Sequence, residues 1–339
     1  MIKYLGSKRV LLPNILAAFE RLDGVRSVID LFSGTSRVGH ALKGAGYRVL
    51  ANDVNAYAHQ LALCYVQGNR EDWSKEASER INDLNRLAGC PGFFTHAFCE
   101  EARYFQPKNG ARIDAMRDQI EDWNLAEELK AILLVSLIEA ADRVDSTTGL
   151  QMAYLKQWAK RSANDIELRL PDLLAEGPNG KGRAFRMDAI EAAKTLSADA
   201  AYLDPPYNQH SYLGNYHVWE TLVLWDQPSL YGVANKREDV RTRQSPFNSK
   251  SQFRQAFAEV VNSLDVRNMV VSFSDEGYLS RDDLEEILSL RGEVSVEECD
   301  YKRYVGAQIG IYNPQGERVG KATHLRNREF LFTVRCRPT

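Results

Sequence analysis

The segment Asp204-Pro205-Pro206-Tyr207 combines residue types that could hold an amine for reaction. It follows the apolar run Ala200–Leu203, which we expect to be a buried strand. The Asp204 carboxylate and the Pro205 carbonyl are hydrogen-bond acceptors, and neither proline has an N–H group that would compete with them. The Tyr207 ring adds a flat face for a planar group. The segment therefore offers two acceptors and an aromatic surface at the end of one strand.

This arrangement fits group transfer to the exocyclic amine of adenine. That amine is a poor nucleophile because its lone pair is delocalised into the ring. Two acceptors facing its N–H bonds would draw them out of the ring plane and aim the lone pair at an electrophilic methyl group. A base flipped out of a duplex could then stack on Tyr207. The alternative is a rigid turn after a strand, since successive prolines occur in such turns.

A second pattern lies near the N-terminus, where the strand-like residues 27–32 lead into Ser33 and Gly34. Glycine allows a ligand to approach the backbone closely, and the helix that follows exposes N–H groups to it. Asp53 comes nineteen positions after Gly34, at the end of the next strand, where a carboxylate can accept hydrogen bonds from ribose hydroxyls. The pattern predicts an adenosine-containing cofactor, although a glycine turn and an acid are as common in plain βαβ architecture.

The elements that must position these residues alternate between strands and helices. We therefore expect a Rossmann-like, doubly wound α/β fold with a mostly parallel sheet. Strand signals stop near residue 68 and resume after the glycine-rich residues 177–182, with amphipathic helices predicted between them. The chain should divide into a catalytic domain and a mainly helical insertion, with the catalytic domain at residues 1–69 and 183–339 and the insertion at residues 70–182. Further helices are predicted at 55–66, 73–87, 112–123 and 125–144, and further strands at 268–273, 293–297 and 329–334.

The composition of the 339-residue chain is typical of a globular protein, with 44% hydrophobic and 26% charged residues. Its longest apolar stretch is too short for a membrane span, and we see no secretory signal. The five cysteines are scattered without a C-x-x-C pair, and the histidines form no metal-like cluster. We expect a cytoplasmic protein with no disulfide framework, no metal and no membrane segment.

The net charge of −3 gives no overall attraction to nucleic acid, so a nucleic-acid partner requires a local basic face. Residues 236–254 contain six basic residues against two acidic ones. Tyr301-Lys302-Arg303-Tyr304 also mixes basic and aromatic side chains. The expected phosphate contacts are Lys236, Arg237, Arg241, Arg243, Lys302 and Arg303. A solvated loop and an exposed strand edge are the alternatives.

In motif order, nearly the whole chain resembles the Dam-like, or alpha, class of adenine-specific N6 DNA methyltransferases. The resemblance rests on Asp204-Pro205-Pro206-Tyr207, on the glycine motif and on Tyr4-Leu5-Gly6-Ser7-Lys8. The last of these matches the family's opening W-x-G-x-K pattern, with Tyr4 in place of tryptophan. The resemblance implies a class I methyltransferase fold, S-adenosylmethionine as cofactor, and double-stranded DNA recognised by the helical insertion. It leaves open whether a cognate restriction endonuclease is paired with the enzyme.

The resemblance also assigns cofactor contacts residue by residue. Tyr4 and Lys8 would line the cofactor pocket, and Phe32, Ser33, Gly34 and Asp53 would hold the methionine and ribose portions. Asp188 would lie near the cofactor adenine, and Asp204 would border both ligands. Residues 272–278 resemble a later motif beside the target base, although a capped loop explains them equally well. An RNA adenine or protein amide acceptor, or a catalytically silent DNA-binding subunit, are the competing hypotheses.

Overall fold

The computed structural model describes residues 1–302, 311–312, 318–320 and 326–337, and describes side chains within residues 1–299 and 328–337. The strands of the described residues form one large sheet and two short pairs. They are β1 (Ser27–Asp30), β2 (Arg48–Asn52), β3 (Arg183–Phe185), β4 (Ala200–Leu203), β5 (Leu230–Tyr231), β6 (Lys236–Arg237), β7 (Asn268–Ser274), β8 (Gly292–Lys302), β9 (Ile311–Tyr312), β10 (Arg318–Gly320) and β11 (Arg326–Cys336). The large sheet has the order β3-β2-β1-β4-β7-β11-β8.

The sheet is parallel from β3 to β7, whereas β11 is antiparallel to both β7 and β8. Its central strands are apolar on both faces, as parallel strands covered by helices must be. On β1, for example, Val28 belongs to the core on one side of the sheet and Ile29 to the core on the other. The predicted doubly wound, mostly parallel α/β fold is confirmed.

The helices cover both faces of this sheet and extend beyond it. They are α1 (Leu12–Glu20), α2 (Arg37–Gly44), α3 (Ala56–Ala62), α4 (Arg70–Arg86), α5 (Phe93–Thr95), α6 (Pro107–Asp122), α7 (Glu127–Val144), α8 (Ala189–Thr195), α9 (Tyr212–Asn215), α10 (His217–Leu224), α11 (Phe253–Ser263) and α12 (Arg281–Ser289). Helices α1 and α2 pack on one face, and α8, α11 and α12 on the other. In the part of the chain described, none of these helices combines the length and the apolar character needed to cross a membrane.

The helical region between α4 and α7 interrupts the sheet between β2 and β3. These two strands pair in parallel across it, with Leu50 opposite Arg183. The inserted helices do not form a core of their own, because Phe98 and Leu133 share one apolar cluster with Tyr57 of α3 and Trp219 of α10. The division into a catalytic domain and an insertion at residues 70–182 therefore stays a prediction.

Among the element boundaries that differ from the expected ones, those of α6 and β8 have clear structural reasons. Helix α6 begins at Pro107 rather than near residue 112, because proline fits the first turn of a helix, where its missing N–H is not needed. Strand β8 extends from Gly292 to Lys302, well beyond the expected residues 293–297, because it pairs along its length with β11. Pairing with a neighbour thus lengthens a strand whose own apolar signal is short.

Candidate active site

The carboxyl ends of β1, β2 and β4 open into a cleft of about 1030 Å³, a volume that includes its opening to solvent. It lies where the chain leaves β1 toward β2 on one side and β4 on the other, which is the usual ligand site of such sheets. The predicted residues that border it are Tyr4, Lys8, Phe32, Ser33, Gly34, Asp53, Asp188, Asp204 and Pro206. One cleft therefore brings together residues that lie as much as two hundred positions apart.

The turn after β1 contains Gly34 and is hydrogen-bonded to Asp53. Gly34 has a positive φ of 51°, a conformation that glycine adopts without strain. Its N–H donates to Asp53 Oδ2 at 3.0 Å, and Oδ1 accepts from both nitrogens of Asn55 at 2.9 and 3.1 Å. Burial raises the pKa of Asp53, while these hydrogen bonds oppose the rise. Asp53 thus fixes the turns after two neighbouring strands and still has lone pairs for a ligand.

A stack of tyrosines forms another wall of the cleft. The Tyr4 ring is nearly parallel to those of Tyr212 and Tyr216, with ring centroids 5.2 and 4.6 Å away. The Tyr4 hydroxyl is 3.1 Å from that of Tyr57. A Cβ added to Gly34 would lie 3.4 Å from the Tyr4 ring, so a side chain at position 34 would crowd this wall.

Asp204 lies at the end of β4 with one of its carboxylate oxygens already engaged. Oδ1 is 3.0 Å from Lys8 Nζ and accepts from Ser272 Oγ at 3.2 Å. Ser272 is held in turn by Tyr202, whose hydroxyl is 2.9 Å away. Lys8 also forms an ion pair with Glu329 of β11. These contacts orient the Asp204 carboxyl group, whose side chain keeps 20% of its surface exposed.

The cleft has an acidic character that suits a cationic ligand. Burial raises the pKa of Asp204 to about 6, against the charge of Lys8, which lowers it. Burial, with a further contribution from the Asp204 charge, raises the pKa of Asp30 to about 7. Within the described residues, Asp30 Oδ2 and Ser33 Oγ are buried without hydrogen-bond partners. The carboxyl groups of Asp53 and Asp204, which border the cleft, suit a ligand that carries positive charge and polar groups, as a sulfonium with an amino acid portion and a ribose would.

Tyr207 is anchored beside the cleft by the segment that follows β7. Its ring is tilted against Phe273 with centroids 5.7 Å apart, and its carbonyl accepts from the Tyr278 N–H at 3.1 Å. Pro205 is buried and, like Tyr207, is not among the residues that border the cleft. The segment 272–278 therefore contacts the strip at both ends, through Ser272 at Asp204 and through Phe273 and Tyr278 at Tyr207.

Comparison with known proteins agrees with this geometry. The family model for D12 class N6 adenine-specific DNA methyltransferases matches residues 4–287. The chain belongs to this family. It is 31% identical to the modification methylase StsI of Streptococcus sanguinis over 99% of the chain, and 31% identical to the type II methyltransferase M.FokI of Planomicrobium okeanokoites over 89%. It is also 30% identical to the type II methyltransferase M.NlaIII of Neisseria lactamica over 89% of the chain.

The relatives differ in how much of their own length the chain covers. The chain spans about half of StsI and of M.FokI, at 52% and 50% of their lengths, and 90% of M.NlaIII. The family match includes all the predicted cleft residues but ends before β8 and β11. Glu329, which contacts Lys8, thus lies outside the matched residues.

Of the expected DNA contacts, Arg237 requires a correction. Its side chain is 3% exposed and binds both oxygens of Asp226, at 2.7 and 2.8 Å, and both of Asp239, at 3.0 and 3.1 Å. A buried arginine that binds two carboxylates is already satisfied, and it would have to give up these hydrogen bonds to reach a phosphate. We therefore remove Arg237 from the residues expected to contact phosphates.

The other basic residues of this segment are more accessible. Arg241 bonds Glu238 at 2.7 Å and lies over the Tyr231 ring, with 58% of its side chain exposed. Arg243 borders the cleft and bonds the buried Glu220 at 2.9 Å. Burial lowers the pKa of Lys236. The side chains of Lys302 and Arg303 lie outside the described residues, so their role stays a prediction.

Sequence analysis missed several residues of the site. Tyr212 and Tyr216 are four positions apart, a spacing that places side chains on one helical face and could have indicated the stack. Glu329 directly precedes the apolar run of residues 330–332, and its position two residues before the buried Leu331 could have marked it as a buried charge. Neither signal identifies a partner.

Proposed function

We propose that this protein transfers the methyl group of S-adenosylmethionine to N6 of an adenine flipped out of double-stranded DNA. The observation that carries the proposal is the state of Asp204 in the cleft. Lys8 and Ser272 occupy Oδ1, which leaves Oδ2 for a substrate N–H. The next two residues are prolines, so no backbone N–H competes there for the Pro205 carbonyl or the carboxylate.

The residues of the cleft fit S-adenosylmethionine, whose sulfonium supplies an electrophilic methyl group. Asp53 would accept hydrogen bonds from the ribose hydroxyls, and Gly34 with Phe32 would lie along the methionine portion. Asp188, which caps α8 through the Ile190 N–H at 2.8 Å, would lie near the adenine ring.

The catalytic work assigned to the protein is orientation and charge stabilisation. Asp204 Oδ2 and the Pro205 carbonyl would accept the two N–H bonds of the target amine and hold its lone pair in line with the methyl group. As the N–C bond forms, positive charge develops on the amine next to the Asp204 carboxylate. A buried carboxylate stabilises that charge more strongly than water does. Tyr207 would support the flipped base.

We also propose that the helical residues 70–182 contribute to recognition of the target sequence. The loop after α7 contacts the elements that follow the catalytic strip, because the Gln151 N–H donates to the Asn215 carbonyl at 2.8 Å. Recognition groups carried there would be close to the mouth of the cleft. We further propose a cytoplasmic role, with a cognate restriction endonuclease as the candidate partner; the relatives' names call them modification methylases and type II methyltransferases. An RNA adenine or a protein amide is the competing acceptor.

Asp204→Asn tests the function directly. The substitution replaces a carboxylate by an amide, which turns one acceptor into a donor facing an N–H group, so we expect methyl transfer to fall by at least about a hundredfold. Transfer of a tritiated methyl group to duplex DNA would be measured in single-turnover reactions, and the methylated base identified by mass spectrometry. Thermal unfolding of the variant serves as the control for folding. Wild-type rates in Asp204→Asn, or methylation of a base other than adenine, would contradict the proposal.

Asp53→Ala tests the cofactor assignment. Loss of hydrogen bonds to a charged group should weaken S-adenosylmethionine binding by about ten- to a hundredfold. Calorimetry without DNA measures this affinity. Asp23→Ala removes an exposed carboxylate outside the cleft and should bind like the wild type. Equal affinities in the wild type and Asp53→Ala would remove Asp53 from the cofactor site.

A double substitution, Arg241→Ala with Arg243→Ala, tests the DNA-binding surface. Exposed ion pairs contribute about 0 to 1 kcal/mol, so the Arg241 guanidinium can leave Glu238 for a phosphate at little cost. Removal of each arginine that binds a phosphate should lower the slope of log affinity against log salt by about one. The matched control is Arg254→Ala, because Arg254 pairs with Asp283 and Glu286 of α12 away from the cleft. An unchanged slope in the double variant would show that the segment is only solvated.

A further inference from the structure

We propose that Glu329 is a positioning residue for methyl transfer, which binds Lys8 and so leaves a net negative charge on the cluster of Lys8, Asp204 and Glu329 beside the target amine. The inference rests on the proposed function. It concerns a residue on β11, beyond the residues 4–287 that match the family model.

The geometry places Lys8 between two carboxylates. Lys8 Nζ is 3.0 Å from Asp204 Oδ1 and forms an ion pair with Glu329 Oε1. Lys8 is 6% exposed and Glu329 is 1% exposed. The second oxygen of Glu329, Oε2, has no hydrogen-bond partner among the described residues. Glu329 therefore makes its one described side-chain contact to the same lysine that orients the catalytic carboxylate.

A buried carboxylate at this position is not needed to complete the fold. Leu331 lies two residues further along the same strand and belongs to the apolar core of that face. A charged group buried without full pairing destabilises a protein, and an apolar residue in its place would be less costly. A carboxylate at position 329 therefore serves the site rather than the core, because its negative charge offsets the positive charge of Lys8.

The net charge of Lys8, Asp204 and Glu329 determines the electrostatic field that the site presents to the substrate amine. Lys8 and Asp204 alone would be a neutral pair, and the ammonium would cancel most of the field that Asp204 directs at the amine. With Glu329 added, the three groups carry one net negative charge. During transfer the bond between sulfur and the methyl carbon would break with its electron pair left on the sulfur, which becomes a neutral thioether, while the N–C bond forms. N6 would then be positive until it releases a proton to solvent. The net negative charge stabilises N6 at that stage.

Among the residues whose side chains the structure describes, few other titratable groups face Glu329. Tyr202 projects from β4 and hydrogen-bonds Ser272, and the charge of Glu329 contributes to raising its pKa. Across the ladder, Cys299 of β8 lies opposite Glu329, and Ser274 of β7 lies opposite on the other side. Of the described side chains, Lys8 pairs with Glu329 and Asp204 pairs with the same lysine, so a change of charge at position 329 should act through them.

The test compares Glu329→Gln, which keeps shape and an acceptor for Lys8, with Glu329→Asp, which keeps the charge. In single-turnover transfer to duplex DNA, we expect Glu329→Gln to slow the plateau rate by about tenfold, with S-adenosylmethionine affinity within about twofold of wild type. Because the Glu329 charge raises the pKa of Asp204, the acid limb of the rate profile should move to lower pH in this variant. Glu329→Asp should restore part of the rate and return the limb toward its wild-type position.

Glu297→Gln is the matched control, because Glu297 on β8 is an exposed carboxylate paired with Arg21. It should leave rate and pH profile unchanged. A Glu329→Gln enzyme with the wild-type rate, or one that is less stable but has an unmoved acid limb, would overturn the inference. If the wild type methylates no adenine, the proposed function fails instead. A carboxyl titration of Asp204 by NMR still decides the role of Glu329, since an unchanged midpoint in Glu329→Gln would refute it.

Discussion

The ion pair between Lys8 and Asp204 is the interaction on which the site depends. It joins the N-terminal segment to the end of β4 at a distance of 3.0 Å, in surroundings where burial raises the pKa of the carboxyl group. Without the lysine, a carboxylate at this depth would favour its protonated form and would lose an acceptor. With the lysine, it stays ionised near neutral pH while one oxygen remains directed at the cleft. The chemistry proposed for the protein follows from that second oxygen.

The rest of the fold places the pair where a cofactor and a base can meet. Parallel strands end at one edge of the sheet, so the turns after β1, β2 and β4 converge although their residues lie far apart in sequence. Asp53 ties the first two turns together through the Gly34 and Asn55 N–H groups. The tyrosine stack around Tyr4 fixes the N-terminal segment from the opposite side. Lys8 stays within reach of Asp204 because Asp53 fixes the turns after β1 and β2 and the tyrosine stack fixes the N-terminal segment.

Local patterns carried much of the prediction. The apolar strand before Asp204 and the glycine turn at Gly34 are encoded in adjacent residues, and the alternation of strands and helices indicated the sheet. Contacts between residues that are far apart in the sequence could not be predicted from such local patterns. Lys8 and Glu329 are 321 positions apart, and no local signal joins them. The resemblance placed Lys8 at the cofactor pocket, but the contact to Asp204 emerged only from the fold.

Counting basic and acidic residues in a segment was the least reliable way to predict DNA contacts. Arg237 belongs to a basic segment, yet two aspartates enclose it, and a formal count cannot distinguish an enclosed arginine from an exposed one. The helical insertion shows that helix periodicity also has a limit, because it does not identify the elements against which a helix packs. Its amphipathic helices were evident in the sequence, but the surface they bury is shared with α3 and α10, which periodicity alone does not reveal.

The most direct test of the central claim is a titration of the Asp204 carboxyl carbon by NMR, assigned by comparison with Asp204→Asn. Burial beside Lys8 predicts a midpoint near the pKa of about 6 in the wild type, with the carboxylate ionised above it and protonated below it. Because the lysine charge lowers that pKa, Lys8→Met should move the midpoint to higher pH. A midpoint near the ordinary aspartate value of about 3.9 in both proteins would contradict the account.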